Sequence, residues 1–209
     1  MKESYYCVRG ESESEIVINR SRFITTLVPV DSAEQAFEEI KRISKKYSDA
    51  THNCYAFVSN RENTEQRFSD DGEPQGTAGI PMLEVLKKRN FRMTLAVVTR
   101  YFGGVKLGAG GLVSAYSRSV SEALDNARIA RYDFAKYYEI SCDYSDFRRL
   151  SDEIAKCAQV TSTEYGEDVA TAFAVPEKDA EALIEKLTDL SFGKASITYT
   201  GEGFFGFDK

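Results

Sequence analysis

The chain has 209 residues, of which 42% are hydrophobic and 29% are charged, and these proportions are typical of a globular protein rather than a disordered one. No apolar run approaches the roughly 18 residues that a membrane-spanning helix needs, and residues 1–15 lack the apolar core of a secretory signal. A cytoplasmic protein that does not span a membrane is therefore expected.

Histidine and cysteine usage argues against a metal site. The chain contains 1 His, His52, and 4 Cys. Most zinc sites draw on several His and Cys ligands, often with two cysteines three positions apart, and no such cysteine pair is present. The cysteines are expected to be reduced, and neither a metal nor a cofactor is predicted.

Charge is distributed unevenly along the chain. Residues 1–134 carry 19 Lys+Arg and 18 Asp+Glu, a net charge of +1, whereas residues 135–209 carry 8 and 15, a net charge of −7. A local field acts on a partner near the surface, so a role in nucleic-acid binding would lie mainly on the first part.

Hydrophobic periodicity predicts alternating strands and helices in the first part of the chain. In chain order, the predicted elements are a hairpin of strands 15–18 and 22–30, a helix from Ala33 to Tyr47, a strand over 53–59, a long ordered loop over 60–79, a short helix from Pro81 to Lys88 or Arg89, a strand over 93–102 and a helix from Leu112 to Ala127. The strand over 93–102 is apolar enough at its centre to be buried on both faces.

The pattern restarts after about residue 134, so two domains are predicted, 1–134 and 135–209. The second part reads as a strand over 137–142, a helix over 145–157, strands over 159–165 and 169–175, a helix over 177–190 and a strand over 195–200. This strand–helix–strand–strand–helix–strand order is the split arrangement of ferredoxin-like domains. The tail, residues 201–209, is expected to pack back on its domain. The predicted fold class is α+β.

A glycine-rich turn joins the strand over 93–102 to the helix that follows. Its glycines are Gly103, Gly104, Gly108, Gly110 and Gly111. Glycine permits positive φ and close backbone approach, and a helix N-terminus offers unpaired N–H groups and a positive dipole end, so an anion could bind here. Arg100, Lys106 and Arg118 could supply charge. The alternative is that the glycines only allow tight packing. Neither of the two familiar phosphate-binding glycine patterns is matched, so no nucleotide cofactor is expected.

A second polar segment, residues 70–79, follows the predicted strand over 53–59. Asp70, Asp71 and Glu73 could act with His52 as weak catalytic candidates, because carboxylates and imidazole serve as general acids and bases. The alternative is a turn with solvated carboxylates and a structural histidine. The ligand spacing of a calcium-binding EF-hand loop is absent.

Four segments together resemble the YigZ/Impact family. They read SRFI at 21–24, ATHNCYA at 50–56, FSDDGEPQGTAGIP at 68–81 and VTRYFGGVKLGAGGL at 98–112. The resemblance implies an N-terminal domain of the ribosomal protein S5 domain 2-like class and a C-terminal ferredoxin-like domain, similar to the last two domains of elongation factor G. It also implies a role in translation, since eukaryotic relatives regulate translation through protein contacts.

Three functional hypotheses follow. The first is a ribosome- or RNA-associated binding protein, a regulator of translation, in which the glycine-rich turn binds phosphate. The second is an enzyme that acts on a small anionic substrate with His52 and Asp70 or Asp71. The third is a protein–protein interaction module whose partner is a translation-associated polypeptide.

Overall fold

A computed structural model describes residues 3–208. Within this range the helices are α1 (Ala33–Lys46), α2 (Gly79–Lys88), α3 (Gly108–Asn126), α4 (Tyr144–Ile154) and α5 (Glu177–Leu190). The strands in the same range are β1 (Tyr5–Val8), β2 (Ser12–Ile18), β3 (Ser21–Pro29), β4 (His52–Val58), β5 (Gln66–Ser69), β6 (Thr94–Tyr101), β7 (Ile129–Cys142), β8 (Gln159–Tyr165), β9 (Val169–Pro176) and β10 (Ser196–Asp208). The expected α+β class is confirmed. No helix between residues 3 and 208 has both the length and the apolar character needed to cross a membrane.

The described chain forms two compact units. The first unit comprises residues 5–130, and the second comprises residues 3–4 with 131–208. The boundary expected from the sequence, after residue 134, falls inside β7, which the division between the units also crosses.

The first unit is built on an antiparallel sheet with the strand order β2-β3-β6-β4-β5. Its central strand β6 is buried at every position except the last, Tyr101. Because side chains alternate across a strand, Leu95 and Val97 enter the cluster packed against α1, while Ala96 and Val98 enter the cluster packed against α2 and α3. Arg100 continues the second series, and this places its side chain on the α2/α3 face at the end of the sheet.

The predicted helix over 33–47 corresponds to α1. Ser32 is the residue that caps it, since its side chain accepts a hydrogen bond from the Gln35 amide at 3.2 Å. Asp31 and Ser32 are polar residues that precede the apolar periodicity, and either of them is a typical cap at this position.

Two predicted elements of the first unit need correction. The stretch 60–79 is not a continuous loop, because β5 pairs antiparallel with β4 inside it. Its sequence, QRFS, is short and polar, as an edge strand with exposed side chains can be. The helix predicted from Leu112 begins instead at Gly108. Packing of the buried residues further along α3 holds the helix, so its first turn forms despite the poor helix propensity of glycine.

The second unit follows the expected element order β7-α4-β8-β9-α5-β10; in its sheet β7 pairs with β9 and β10, and β9 pairs with β8. The helices α4 and α5 bury Leu150, Ile154, Leu183 and Leu187 in one cluster with Phe173. Most of the predicted tail belongs to β10, which pairs with β7. Its aromatic side chains pack on that strand: the ring centroids of Phe204 and Phe134 are 5.6 Å apart.

Candidate functional site

A pocket of about 300 Å³ lies in the first unit, where β4 begins, β6 ends and α3 begins. We call it the α3 pocket. It is lined by Thr51, His52, Glu73, Pro74, Arg100, Phe102, Lys106, Leu107, Gly108, Ala109 and Leu112. The pocket thus brings together residues of segment 70–79, residues of the glycine-rich turn over 103–111, and the single histidine, His52. Its volume is at the lower end of the roughly 300–1,000 Å³ of small-molecule sites.

The floor of the α3 pocket is an ion pair between Arg100 and Glu73. The Arg100 Nη1 atom donates to Glu73 Oε1 at 2.6 Å, and only 6% and 3% of the two side chains are exposed. Tyr116 of α3 donates its hydroxyl to the same carboxylate oxygen at 2.7 Å. The Nε atom of Arg100 is buried without a hydrogen-bond partner within residues 3–208. A buried charge pair of this kind compensates itself but is costly to break.

His52 projects into the α3 pocket from the first position of β4. Its Nδ1 atom lies 2.7 Å from the main-chain oxygen of Asp71. A carbonyl oxygen only accepts, so Nδ1 carries the proton, and in the neutral imidazole Nε2 is left as an acceptor. The Nε2 atom lies 3.8 Å from Glu73 Oε2, which is beyond hydrogen-bond distance. Glu73 is therefore the carboxylate in front of the free imidazole nitrogen.

Asp70 and Asp71 serve the architecture of the pocket and do not line it. The carboxylate of Asp70 accepts hydrogen bonds from the amides of Gly76 (2.8 Å), Ala78 (3.0 Å) and Gly79 (2.8 Å), the last of which begins α2. The carboxylate of Asp71 accepts from the Asn53 amide at 2.6 Å. Asp70 thus supplies a negative charge at the N-terminus of α2, where the helix dipole favours one.

Cys54 lies beneath this segment and shows how closely the loop is packed. Its Sγ atom donates to the Asp70 main-chain oxygen at 3.0 Å and lies 3.4 Å from the Tyr116 hydroxyl. Burial raises the pKa of the Cys54 thiol to about 12, with Glu73, Asp71 and Asp70 adding to the shift. Burial also raises the pKa of Tyr116. Both groups stay protonated at neutral pH and act as hydrogen-bond donors behind the residues that line the pocket.

In the glycine-rich turn, the first amide is hydrogen-bonded within the fold, whereas the amides at the end of the turn are exposed. The Gly103 amide donates to Ser21 Oγ at 3.2 Å, and a Cβ atom at Gly103 would lie 2.1 Å from the Arg20 main chain. The first three amides of α3, at Gly108, Ala109 and Gly110, belong to exposed residues. An α-helix provides no partner for its first amides. Leu107, the residue before α3, provides no side-chain cap, and within residues 3–208 no side-chain hydrogen bond to these three amides is found.

Lys106 and Arg118, which were predicted to supply charge for an anion, lie in different surroundings. Lys106 is exposed and lines the α3 pocket, and no carboxylate among residues 3–208 forms an ion pair with it. Arg118 does not line the pocket and pairs with Glu122 at 2.6 Å on the exposed side of α3. Of the glycines, Gly108 lines the pocket, whereas Gly103, Gly104, Gly110 and Gly111 shape the backbone around it. Gly104 and Gly108 both have positive φ, 84° and 71°.

Three residues at or beside the site were not among the candidate functional residues predicted from the sequence. Tyr116 fits the apolar stripe of α3 and is indistinguishable from a core residue until its hydroxyl meets Glu73. Thr51 was not a candidate functional residue, yet its hydroxyl accepts a hydrogen bond from the Phe102 amide at 3.1 Å. Phe102 lines the pocket with 47% of its surface exposed. No group of three or more His, Cys, Asp or Glu side chains in residues 3–208 is arranged to hold a metal ion.

The whole site lies in a region that matches a known domain. Residues 19–124 match the Impact N-terminal domain, and residues 140–194 match a domain of unknown function, DUF1949. The chain is 44% identical over 198 residues to IMPACT family member YvyE of Bacillus subtilis, covering 94% of this chain and 91% of that protein. The chain belongs to the Impact family.

Other Impact family proteins differ in how much of the chain they share. IMPACT family member YigZ of Escherichia coli is 35% identical over 183 residues, 86% of this chain and 90% of that protein. Protein IMPACT of Oryctolagus cuniculus is 38% identical over 97 residues, which are 44% of this chain and 30% of that protein. A solved structure described as a hypothetical protein is 32% identical, with a TM-score of 0.60, and covers 96% of this chain and 98% of its own.

Proposed function

We propose that the protein binds RNA, free or in the ribosome, and regulates translation by doing so, with a phosphate group held at the N-terminus of α3. The observation that carries this proposal is the uncapped first turn of α3 in the wall of the α3 pocket, beside Lys106 and Arg100. Free amides and the positive helix end form an anion site together. Membership of the Impact family supports the translational setting.

The charges around the pocket also favour a phosphate. The negative charge of Glu73 is compensated by Arg100 at 2.6 Å, so it does not repel an incoming anion strongly. Lys106 stands at the entrance without a carboxylate partner in the described part of the chain. The positive end of the α3 dipole and the charge of Lys106 are therefore the main electrostatic attractions for a phosphate at this pocket.

The finer fold assignment and the location belong to the same proposal. The pairing of β7 with β9 and β10, and of β9 with β8, together with two helices in the second unit supports a ferredoxin-like domain, and we assign the first unit to the ribosomal protein S5 domain 2-like class. A pair of domains similar to those of elongation factor G would act in the cytoplasm, where ribosomes are.

The proposal is tested by reversing one charge at the pocket and one outside it. Lys106→Glu is expected to weaken binding of the protein to ribosomes and to total RNA roughly tenfold or more, because a phosphate contact is replaced by repulsion. Arg118→Glu is the matched control on the same helix and is expected to change binding by no more than about twofold, since Arg118 already pairs with Glu122. Co-sedimentation and fluorescence anisotropy measure both.

Salt dependence and nuclease treatment decide the mechanism. Phosphate contact requires that binding weaken as salt rises from about 50 to 200 mM. Binding that ignores salt, or equal effects of Lys106→Glu and Arg118→Glu, would contradict phosphate recognition at the pocket. A stoichiometric protein partner that stays bound after nuclease treatment, and is released by Lys106→Glu, would point to the protein-interaction alternative.

A second candidate function is an enzyme acting on a small anionic substrate, and the position of His52 favours it. In the neutral imidazole, the Nε2 atom of His52 is an acceptor that faces the pocket, 3.8 Å from Glu73 Oε2, and such an atom can serve as a general base. Turnover of phosphate mono- or diesters that is present in the wild type and lost in His52→Asn would support it. Equal rates in both proteins would leave His52 as a binding residue.

A further inference from the structure

Phe102 is an exposed aromatic side chain at the end of a buried strand. It directly follows β6, whose first seven residues are all buried, yet 47% of its surface is exposed. It also lines the α3 pocket. An isolated exposed phenylalanine needs no explanation, but this one lies in the wall of a pocket next to a candidate phosphate site.

Phe102 is held in position by its main chain and by a contact of its ring with Arg100. Its amide donates to Thr51 Oγ1 at 3.1 Å, and the next residue, Gly103, is so close to the Arg20 main chain that a Cβ atom there would be 2.1 Å away. The guanidinium carbon of Arg100 lies 5.6 Å from the Phe102 ring centroid and 5.4 Å from that of Phe23. The cation therefore packs against Phe102 from the protein side, and the exposed part of the ring is available to a ligand.

We propose that Phe102 is a stacking platform for an unpaired nucleobase whose phosphate sits at the N-terminus of α3, so that the site selects single-stranded over double-stranded RNA. This proposal rests on the proposed function. Aromatic side chains commonly stack on bases of single-stranded nucleic acid, whereas bases within a duplex are already stacked and paired. A pocket of about 300 Å³ fits one nucleotide and not a duplex.

The chemistry of the pocket is consistent with one nucleotide as its occupant. The aromatic face of Phe102 offers a partner for the base, and the first turn of α3 with Lys106 offers a partner for the phosphate. The free Nε2 atom of His52 is an acceptor in the same pocket. A sugar hydroxyl or an exocyclic amino group of the base can donate a hydrogen bond to this nitrogen. The base and the phosphate of a nucleotide thus each have a group of matching chemistry in the pocket, and His52 offers one further acceptor.

The test compares two substitutions at one position with two RNA probes. Phe102→Leu removes the aromatic face and keeps an apolar side chain, while Phe102→Tyr keeps the face. We expect Phe102→Leu to weaken binding of a short oligoadenylate roughly tenfold, from the loss of one stacked base, and to change binding of an RNA duplex of equal length by less than about twofold. Phe102→Tyr is expected to bind the oligoadenylate like the wild type.

A matched control and a measurement on the unaltered protein complete the experiment. Val105→Ala changes another exposed apolar residue of the same turn and should leave oligoadenylate binding within about twofold. The wild type should bind oligoadenylate roughly tenfold more tightly than an abasic ribose–phosphate oligomer of the same length, a comparison that needs no variant to fold.

The outcomes separate this proposal from the one on which it rests. Equal wild-type affinity for the oligoadenylate and the abasic oligomer, or equal losses on both RNA probes in a folded Phe102→Leu variant, would overturn stacking. In that case Lys106→Glu and rising salt would still weaken binding if phosphate recognition is right. Insensitivity to both Lys106→Glu and salt would instead overturn the proposed function.

Discussion

The two glycine-rich segments of the first unit, residues 70–79 and 103–111, both lead into a helix, but the two helices begin differently. At α2 the chain supplies its own anion, since Asp70 accepts from the amides of Gly76, Ala78 and Gly79. At α3 neither the preceding residue Leu107 nor another side chain within residues 3–208 is found to accept a hydrogen bond from the amides of residues 108–110. The same local feature is therefore a structural cap at α2 and a candidate binding site at α3.

This difference shows that a helix N-terminus indicates an anion-binding site only when its tertiary surroundings are also known. The helix dipole and the unpaired amides are common to α2 and α3. What differs is whether another part of the chain reaches them. The substitutions that follow alter the link between the segments, then the cap of α2, then the open end of α3.

The largest expected effect is on the ion pair that joins the two segments. Glu73→Gln keeps the shape of the side chain but leaves Arg100 buried without a counter-charge, and it should lower the free energy of unfolding by about 3 kcal/mol. Glu122→Gln breaks the exposed pair with Arg118 and should cost no more than about 0.5 kcal/mol. Urea unfolding followed by circular dichroism measures both. Similar losses in the two variants would show that the Arg100–Glu73 pair is solvated.

An intermediate effect is expected at the cap of α2. Asp70 uses both carboxylate oxygens, Oδ1 for Ala78 and Gly79 and Oδ2 for Gly76. Asp70→Asn therefore turns an amide donor toward an N–H group and should cost about 2 kcal/mol. Asp71 uses a single oxygen, toward the Asn53 amide, so Asp71→Asn can keep its bond and should cost about 0.5 kcal/mol or less. Thermal or urea unfolding compares them, and a tolerant Asp70→Asn variant would refute the capping role.

The smallest effect on stability, with the clearest effect on binding, is expected at the open end of α3. Ala109→Glu places a carboxylate in the first helical turn, as Asp70 does at α2. It should stabilise the first unit by about 0.5 kcal/mol through the helix dipole and weaken RNA binding. Ala109→Gln is the uncharged control of equal size and should weaken RNA binding less than Ala109→Glu does. RNA binding that is unchanged in Ala109→Glu would place the anion site elsewhere.

Much of the fold could be predicted from local patterns. The helix α1 has a capping serine and a regular apolar face, and β6 has a continuous apolar run, so each carries its own signal. β5 carries almost none, because a short polar edge strand depends on its partner β4 for hydrogen bonds. The start of α3 was misplaced because glycine discourages a helix locally, while the buried side chains further along the helix decide that it forms.

The candidate site was predictable in its segments but not in its pairings. Arg100, Lys106 and the glycine-rich turn stand out by residue type, and His52 stands out as the single histidine. The pairing of Arg100 with Glu73 joins positions 27 residues apart, and that of Tyr116 with Glu73 joins positions 43 residues apart. Local spacing does not show such contacts, so it did not separate Glu73, whose carboxylate lies 3.8 Å from His52 Nε2, from the other carboxylate candidates Asp70 and Asp71.

By itself, the amino-acid sequence determined the α+β class, the family and most helices and strands, because these follow from short-range periodicity and from motifs that are contiguous in the chain. Only the tertiary structure decided which helix N-terminus is capped, which carboxylate neutralises Arg100, and that Phe102 stays exposed in the wall of a pocket. The physical reason is that hydrogen bonding and burial depend on what the fold brings within a few ångströms, and the packing of α2 and α3 on one face of the sheet sets those distances.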